Sequence, residues 1–85
     1  MANYDLLIKQ SAGKELEKLP RKDRIRTSRK IQELAFEPRP HGCEKLSAKE
    51  KYRIRQGNYR VVYSIDDDKR AVLVVKIGHR KEVYR

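Results

Sequence analysis

The hydrophobic rhythm of the chain changes near its middle. Up to about Phe36, apolar residues recur at helical spacing; from Lys45 onward they fall on every second position. Tyr4-Asp5-Leu6-Leu7-Ile8 reads as a short strand. Ser11 follows as a predicted N-cap, after which Ala12, Leu16 and Leu19 share one helical face. Pro20 ends that helix or opens the next at its first turn. A second helix is predicted through about Phe36, with Ile25, Ile31, Leu34 and Ala35 directed inward and Pro38 and Pro40 as its stop. The tight connection makes the two an αα-hairpin.

In the second half, Leu46 belongs to a short strand or a loop, and residues 52–56, 59–65 and 71–77 read as three further strands. Gly57-Asn58 is a two-residue hairpin loop, and glycine at its first position suits a type II′ turn. The DDDKR segment at 66–70 is a longer, charged turn. No repeat, low-complexity tract or linker divides the chain, so residues 1–85 are expected to form one domain. The expected fold class is α+β: a mainly antiparallel sheet with an N-terminal strand and the αα-hairpin packed on one face.

A loop at Gly57-Asn58 fixes a register. Gln56 pairs with Tyr59, Arg55 with Arg60, Ile54 with Val61, Arg53 with Val62, and Tyr52 with Tyr63. Alternation then puts Tyr52, Ile54, Val61, Tyr63 and Ile65 under the helices and Arg53, Arg55, Arg60, Val62 and Ser64 on the open face. On the last strand the same alternation predicts Leu73, Val75 and Ile77 in the core. It leaves Val72, Val74 and Lys76 on the open face, with Arg80 pointing to that side beyond Gly78. Like charges directly opposite one another on a sheet are unfavourable, so Arg55 against Arg60 is a local cost the fold does not require. Such violations are expected where function is. The alternative is an ordinary solvated arginine face.

Charge sharpens this picture. Twenty-two Lys and Arg against twelve Asp and Glu give a net charge of +10, an excess that steers a protein toward polyanions. Residues 51–60 hold four cations and no acid, and residues 21–30 six cations with Asp23 as the lone acid. The second run fits a solvated helix face; the first fits phosphate, which guanidinium binds through a planar, bidentate fork. The single Cys43 excludes an internal disulfide and fits a reducing compartment. No apolar run approaches the length of a membrane span, and the N-terminus lacks the build of a signal peptide, so the expected location is the cytoplasm with no membrane partner. His41, Cys43 and His79 have no zinc-type spacing, and neither a metal nor another cofactor is expected.

The run YRIRQGNYRVVYSIDDDKRAVLVVKIGHRKEVYR resembles the C-terminal half of the RelE/ParE toxin superfamily, above all its RelE-like branch. The carrying motifs are N-Y-R-V-V-Y and G-H-R followed by V-Y, and the earlier half agrees more loosely through P-R-P-H-G and a KL before the hairpin. The resemblance implies the toxin of a type II toxin–antitoxin system. Its implied activity is metal-independent, ribosome-dependent cleavage of mRNA in the A site by attack of the ribose 2′-OH on the adjacent phosphate. It further implies a small RelB-like antitoxin, contact with ribosomal RNA, and DNA binding only indirectly through the antitoxin complex.

Carried over by motif, Arg60 corresponds to the arginine at the scissile phosphate, Arg80 to a second phosphate-stabilising arginine and Tyr84 to the aromatic that stacks on or positions the nucleotide. Arg53 and Arg55 stand where the best-known branch has lysines implicated in proton transfer. Arginine is effectively always charged, so both suit electrostatic clamping better than acid–base work. Lys51, His79 and Tyr84 are then the groups left for a proton shuttle. Histidine as a residue type suits such a role, but strand parity turns His79 to the core side, where a structural role fits better. Lys49, Lys51, Lys76 and Lys81 are expected RNA-backbone contacts. Two other readings stand beside this one: a ParE-like poison of DNA gyrase, and a non-catalytic nucleic-acid-binding module.

Overall fold

The computed structural model describes residues 3–46 and 51–79. Its elements run β1 (Asp5–Ile8), α1 (Gln10–Glu17), α2 (Arg21–Glu33), β2 (Glu44–Lys45), β3 (Lys51–Gln56), β4 (Tyr59–Asp66) and β5 (Ala71–His79). The strands form one sheet in the order β1-β5-β4-β3-β2. β1 runs parallel to β5 and the other three pairings are antiparallel. This is the expected α+β arrangement, with the helical hairpin closing one face over Ala12, Ile31, Leu34, Tyr52, Ile54, Val61, Tyr63, Ile65, Val72, Val74 and Ile77.

The hairpin has the predicted register, including Arg55 opposite Arg60 and Tyr52 opposite Tyr63. Gly57 adopts φ +60°, as the first central residue of a type II′ turn requires and as glycine alone adopts readily. Tyr52 and Tyr63 are buried and stack across the strands, with ring centroids 5.9 Å apart.

Four expectations need correction. α1 does not take Ser11 as its N-cap; Lys9 holds that position without a side-chain cap. The Lys9 N–H donates to the Val74 carbonyl at 2.9 Å, so the junction with the sheet, rather than capping propensity, sets the helix start. In α2, Ile25 is 46% exposed while Thr27 is fully buried. Thr27 lies one turn before Ile31, and Ile25 lies six residues before it on another face, so helical geometry overrides side-chain polarity there. α2 also ends at Glu33, short of Phe36, which is 55% exposed.

The alternation expected along β5 also fails. Pairing runs Val61 to Ile77 and Val62 to Lys76, then shifts so that Tyr63 pairs with Val74. Val75 is thus the extra residue of a β-bulge, and such an insertion reverses the facing of everything beyond it. Val72 and Val74 therefore lie in the core with Ile77, whereas Leu73 and Val75 are only half-buried. Beyond the end of β1, α1 covers the free edge of β5: the Glu15 carboxylate accepts the Ile77 N–H at 2.9 Å and lies 3.4 Å from the Lys76 ammonium.

The α2–β2 loop is tied to the sheet by tyrosines. The Tyr63 hydroxyl donates to the Pro38 carbonyl at 2.7 Å in a buried contact, and burial pushes the phenol's pKa well above its ordinary value. Tyr63→Phe strands that carbonyl; an unmet buried polar group costs about 1–3 kcal/mol, so the urea midpoint should fall correspondingly with its slope unchanged.

Arg39 donates to the Tyr52 hydroxyl at 3.1 Å and to Asp67 at 2.9 Å, and the Tyr4 hydroxyl donates to Asp67 at 2.7 Å. The Arg39 hydrogen bond, then that of Tyr4, holds the Asp67 carboxyl below the usual carboxylate range. A depressed folded-state pKa stabilises above the unfolded value and is lost as pH falls through the folded one. The expected result is a wild-type Tm that declines more steeply than that of Asp67→Asn when acidified below the ordinary aspartate range. Parallel acid profiles would refute it.

Candidate functional site

The open face of the sheet divides by charge. At the hairpin-tip end stand Arg53 and Arg55 on β3 and Arg60 on β4. At the other end, a cleft of about 720 Å³ is lined by Leu7, Leu73, Lys51, Ser64 and the acids of the β4–β5 turn, Asp66, Asp67 and Asp68. That cleft is therefore separate from the cationic site.

Strand order decides how the three arginines differ. β4 is the middle strand, and Arg60 pairs with Arg55 on one side and Gly78 on the other. Glycine offers no side chain to compete for space there, and Arg60 is only 3% exposed, with Nη1 3.3 Å from the Tyr59 carbonyl oxygen. An ordinary solvated arginine face does not describe such a residue. Arg55 lies past the end of β2, which pairs only with Tyr52 and Arg53, and it is exposed. Arg53 sits between, half-buried, with β2 as its neighbour.

That neighbour brings an acid onto the arginine face. Glu44 is the register partner of Arg53, and Arg53 Nη2 donates to Glu44 Oε1 at 2.8 Å. The Arg53 hydrogen bond and charge, with Arg55 and Arg60 adding to the field, hold the Glu44 carboxyl below its usual range. Glu44 was missed from sequence because residues 51–60 contain no acid and the partner strand is only two residues long. Recognising it requires the β2–β3 register.

The other candidates separate by face and position. Lys51 is exposed opposite Ser64, and Lys76 lies opposite Val62 while reaching toward Glu15. His79 pairs with Tyr59 on the helix side, ring against ring at 5.8 Å, where Glu15, Lys18 and Leu19 line the same cleft. It is thus across the sheet from Arg60. Lys49, Arg80, Lys81 and Tyr84 lie outside the described residues. Among the described residues, no three His, Cys, Asp or Glu side chains are grouped so as to hold a metal ion, and no helix is long and apolar enough to cross a membrane.

A cationic sheet face with one buried and two more accessible guanidinium groups can bind a phosphodiester and stabilise charge developing on it. Comparison with known proteins gives this geometry a context. The chain is similar in structure to the archaeal RelE of a RelE–RelB complex from Pyrococcus horikoshii, with a TM-score of 0.83 and 28% identity over 92% of this chain and 96% of that one. It is likewise similar to the isolated RelE toxin of E. coli, with a TM-score of 0.78 and 32% identity over 89% and 83% of the two chains. A curated relative, toxin RelG of Mycobacterium tuberculosis, is 38% identical over 34 residues, which span 40% of this chain and 39% of that protein. The family model for the ParE toxin of type II toxin–antitoxin systems matches residues 6–84. The chain belongs to that family of toxins, within the RelE/ParE superfamily.

Proposed function

We propose that this toxin is a ribosome-dependent endoribonuclease that cuts mRNA in the A site. The observation that carries the reading is Arg60, buried on the central strand beside two further arginines, Arg53 and Arg55. In the reaction, the ribose 2′-oxygen attacks the adjacent phosphorus and the 5′-oxygen leaves, giving a 2′,3′-cyclic phosphate and a 5′-OH. Negative charge grows on the phosphoryl oxygens during attack, and preorganised guanidinium groups stabilise it more than they stabilise the ground state. Arg60 takes the scissile phosphate, with Arg55 at the exposed rim. Arg80 and Tyr84, in the G-H-R and V-Y motifs, complete the reading as a second phosphate contact and a nucleobase platform.

The partner proposed is a small RelB-like antitoxin. Structural neighbours from Pyrococcus horikoshii and Mycobacterium tuberculosis were solved as toxin–antitoxin complexes, and a net charge of +10 favours capture of an acidic chain. Action on ribosomes places the toxin in the cytoplasm. The match to the ParE family model supports a second reading, a poison of DNA gyrase. Induced expression followed by primer extension separates the two. Breaks within translated codons are expected; intact transcripts accompanied by a DNA-damage response would give the second reading the field.

A further inference from the structure

The proposed cleavage requires a group that removes the 2′-OH proton, and the arginines cannot serve, because guanidinium remains charged and accepts no proton. Lys51 and Lys76, on the same face, end in ammonium groups, which are donors with no acceptor. His79 stands on the other side of the sheet against Tyr59, and Tyr84 has the nucleobase-platform role in the reading above. We propose that Glu44 is the proton acceptor for the ribose 2′-OH and that Arg53 is its positioning residue; this rests on the endoribonuclease reading.

Three features support the assignment. β2 and β3 place Glu44 opposite Arg53 on the arginine face, and the 2.8 Å bond to Arg53 fixes its carboxylate there. Its side chain is 54% exposed, so an incoming ribose can reach it, whereas that of Arg53 is only 12% exposed and works from beneath. A carboxylate has two oxygens and about four lone-pair directions, so a bond from Arg53 to one oxygen leaves acceptor capacity for the substrate.

Among the described residues, the charged groups facing Glu44 are Arg53 and Arg55 from β3 and Arg60 from β4. They keep it ionised, and therefore able to accept, across the neutral range. In the absence of RNA they also make it a weak base. A phosphodiester entering beside Arg60 brings a negative charge that shares those cations, and a nearby like charge raises a carboxylate's proton affinity. Glu44 thus becomes a stronger base when substrate is present. The step balances: Glu44 takes the 2′-OH proton as O2′ bonds to phosphorus. The P–O5′ bond breaks, and O5′ takes a proton from water. The hydroxide left behind is neutralised by the proton Glu44 then releases.

The test uses full-length toxin on ribosomes programmed with an mRNA carrying either an ordinary A-site codon, for single-turnover cleavage, or a 2′-deoxy A-site codon, for binding without cleavage. Glu44→Gln is expected to lower the cleavage rate about 10²–10³-fold, the range of general acid–base catalysis, while changing the Kd for the deoxy complex by less than about threefold. Wild type should lose activity as pH falls through the Glu44 pKa in the complex, and Glu44→Gln should lack that acid limb. Glu44→Asp, which keeps a carboxylate, should recover part of the rate. Cleavage by Glu44→Gln at or above the wild-type rate would show that Glu44 merely screens the arginines and would overturn the proposal. An equal loss in deoxy-complex binding would do so too, by making the role structural. A wild-type chain that leaves ribosomal mRNA intact refutes the endoribonuclease reading itself, an outcome distinct from both.

Discussion

Arg60→Met is expected to lower A-site cleavage by about 10²–10³-fold, the usual loss when one preorganised donor to a developing oxyanion is removed, and to abolish growth arrest at matched soluble levels. The physical reason is position. On the exposed rim a guanidinium shares its field with water, but Arg60 is 3% exposed on the middle strand, where the lower effective dielectric strengthens its pull on a phosphate. Methionine retains the unbranched stem and removes only the charge and the fork. Packing is thereby kept, and the like-charge pairing with Arg55 is relieved. The variant should accordingly hold its Tm within a few degrees while losing function, which separates catalysis from folding. Arg60→Lys keeps the charge without the bidentate geometry and should fall between the two. Growth arrest at the wild-type level by Arg60→Met would remove Arg60 from the site and, with it, the observation that carries the endoribonuclease reading.

How far such a site can be read from sequence depends on whether each feature is local. The Gly57-Asn58 turn is local: two residues fix the pairing of the strands around them, and Arg55 opposite Arg60 follows from alternation alone. Burial of Arg60 is not local. It depends on β5 closing one side of β4 with a glycine at position 78, while β2 stops short of Arg55 on the far side of β3. Sequence therefore yields three arginines on one face without ranking them. Glu44 is less legible still, because a two-residue strand has no periodicity to detect and its partner lies nine positions away across a segment without a turn signal. In the helices, Ile25 misled because an apolar side chain was weighed above its place in the 3.6-residue repeat, which Thr27 satisfies instead.

The bulge at Val75 gives the sharpest test of what alternation could not reveal. From sequence, the apolar run at 71–75 has no polar residue to mark its faces, so either parity fits until the pairing with β4 is known. The observed register makes Val74 a fully buried partner of Tyr63 and leaves Val75 half-buried as the inserted residue. Val74→Asp would place a lone carboxylate among Tyr63, Ile65 and the helix residues, at a cost of several kcal/mol. A domain of this size has only about 5–10 kcal/mol of stability to lose, so this variant should be largely unfolded or insoluble. Val75→Asp meets the open face; substitutions away from the core usually change stability by about 0.5 kcal/mol or less, and this one should remain folded with a urea midpoint near that of wild type. A simple strand without the bulge demands the reverse order, since it buries Val75 and exposes Val74. Far-UV circular dichroism and urea titration of the two variants decide between these registers. The same result bears on the site, because the shift between Val62 and Tyr63 is what allows Ile77 to enter the core while Gly78 stays beside Arg60.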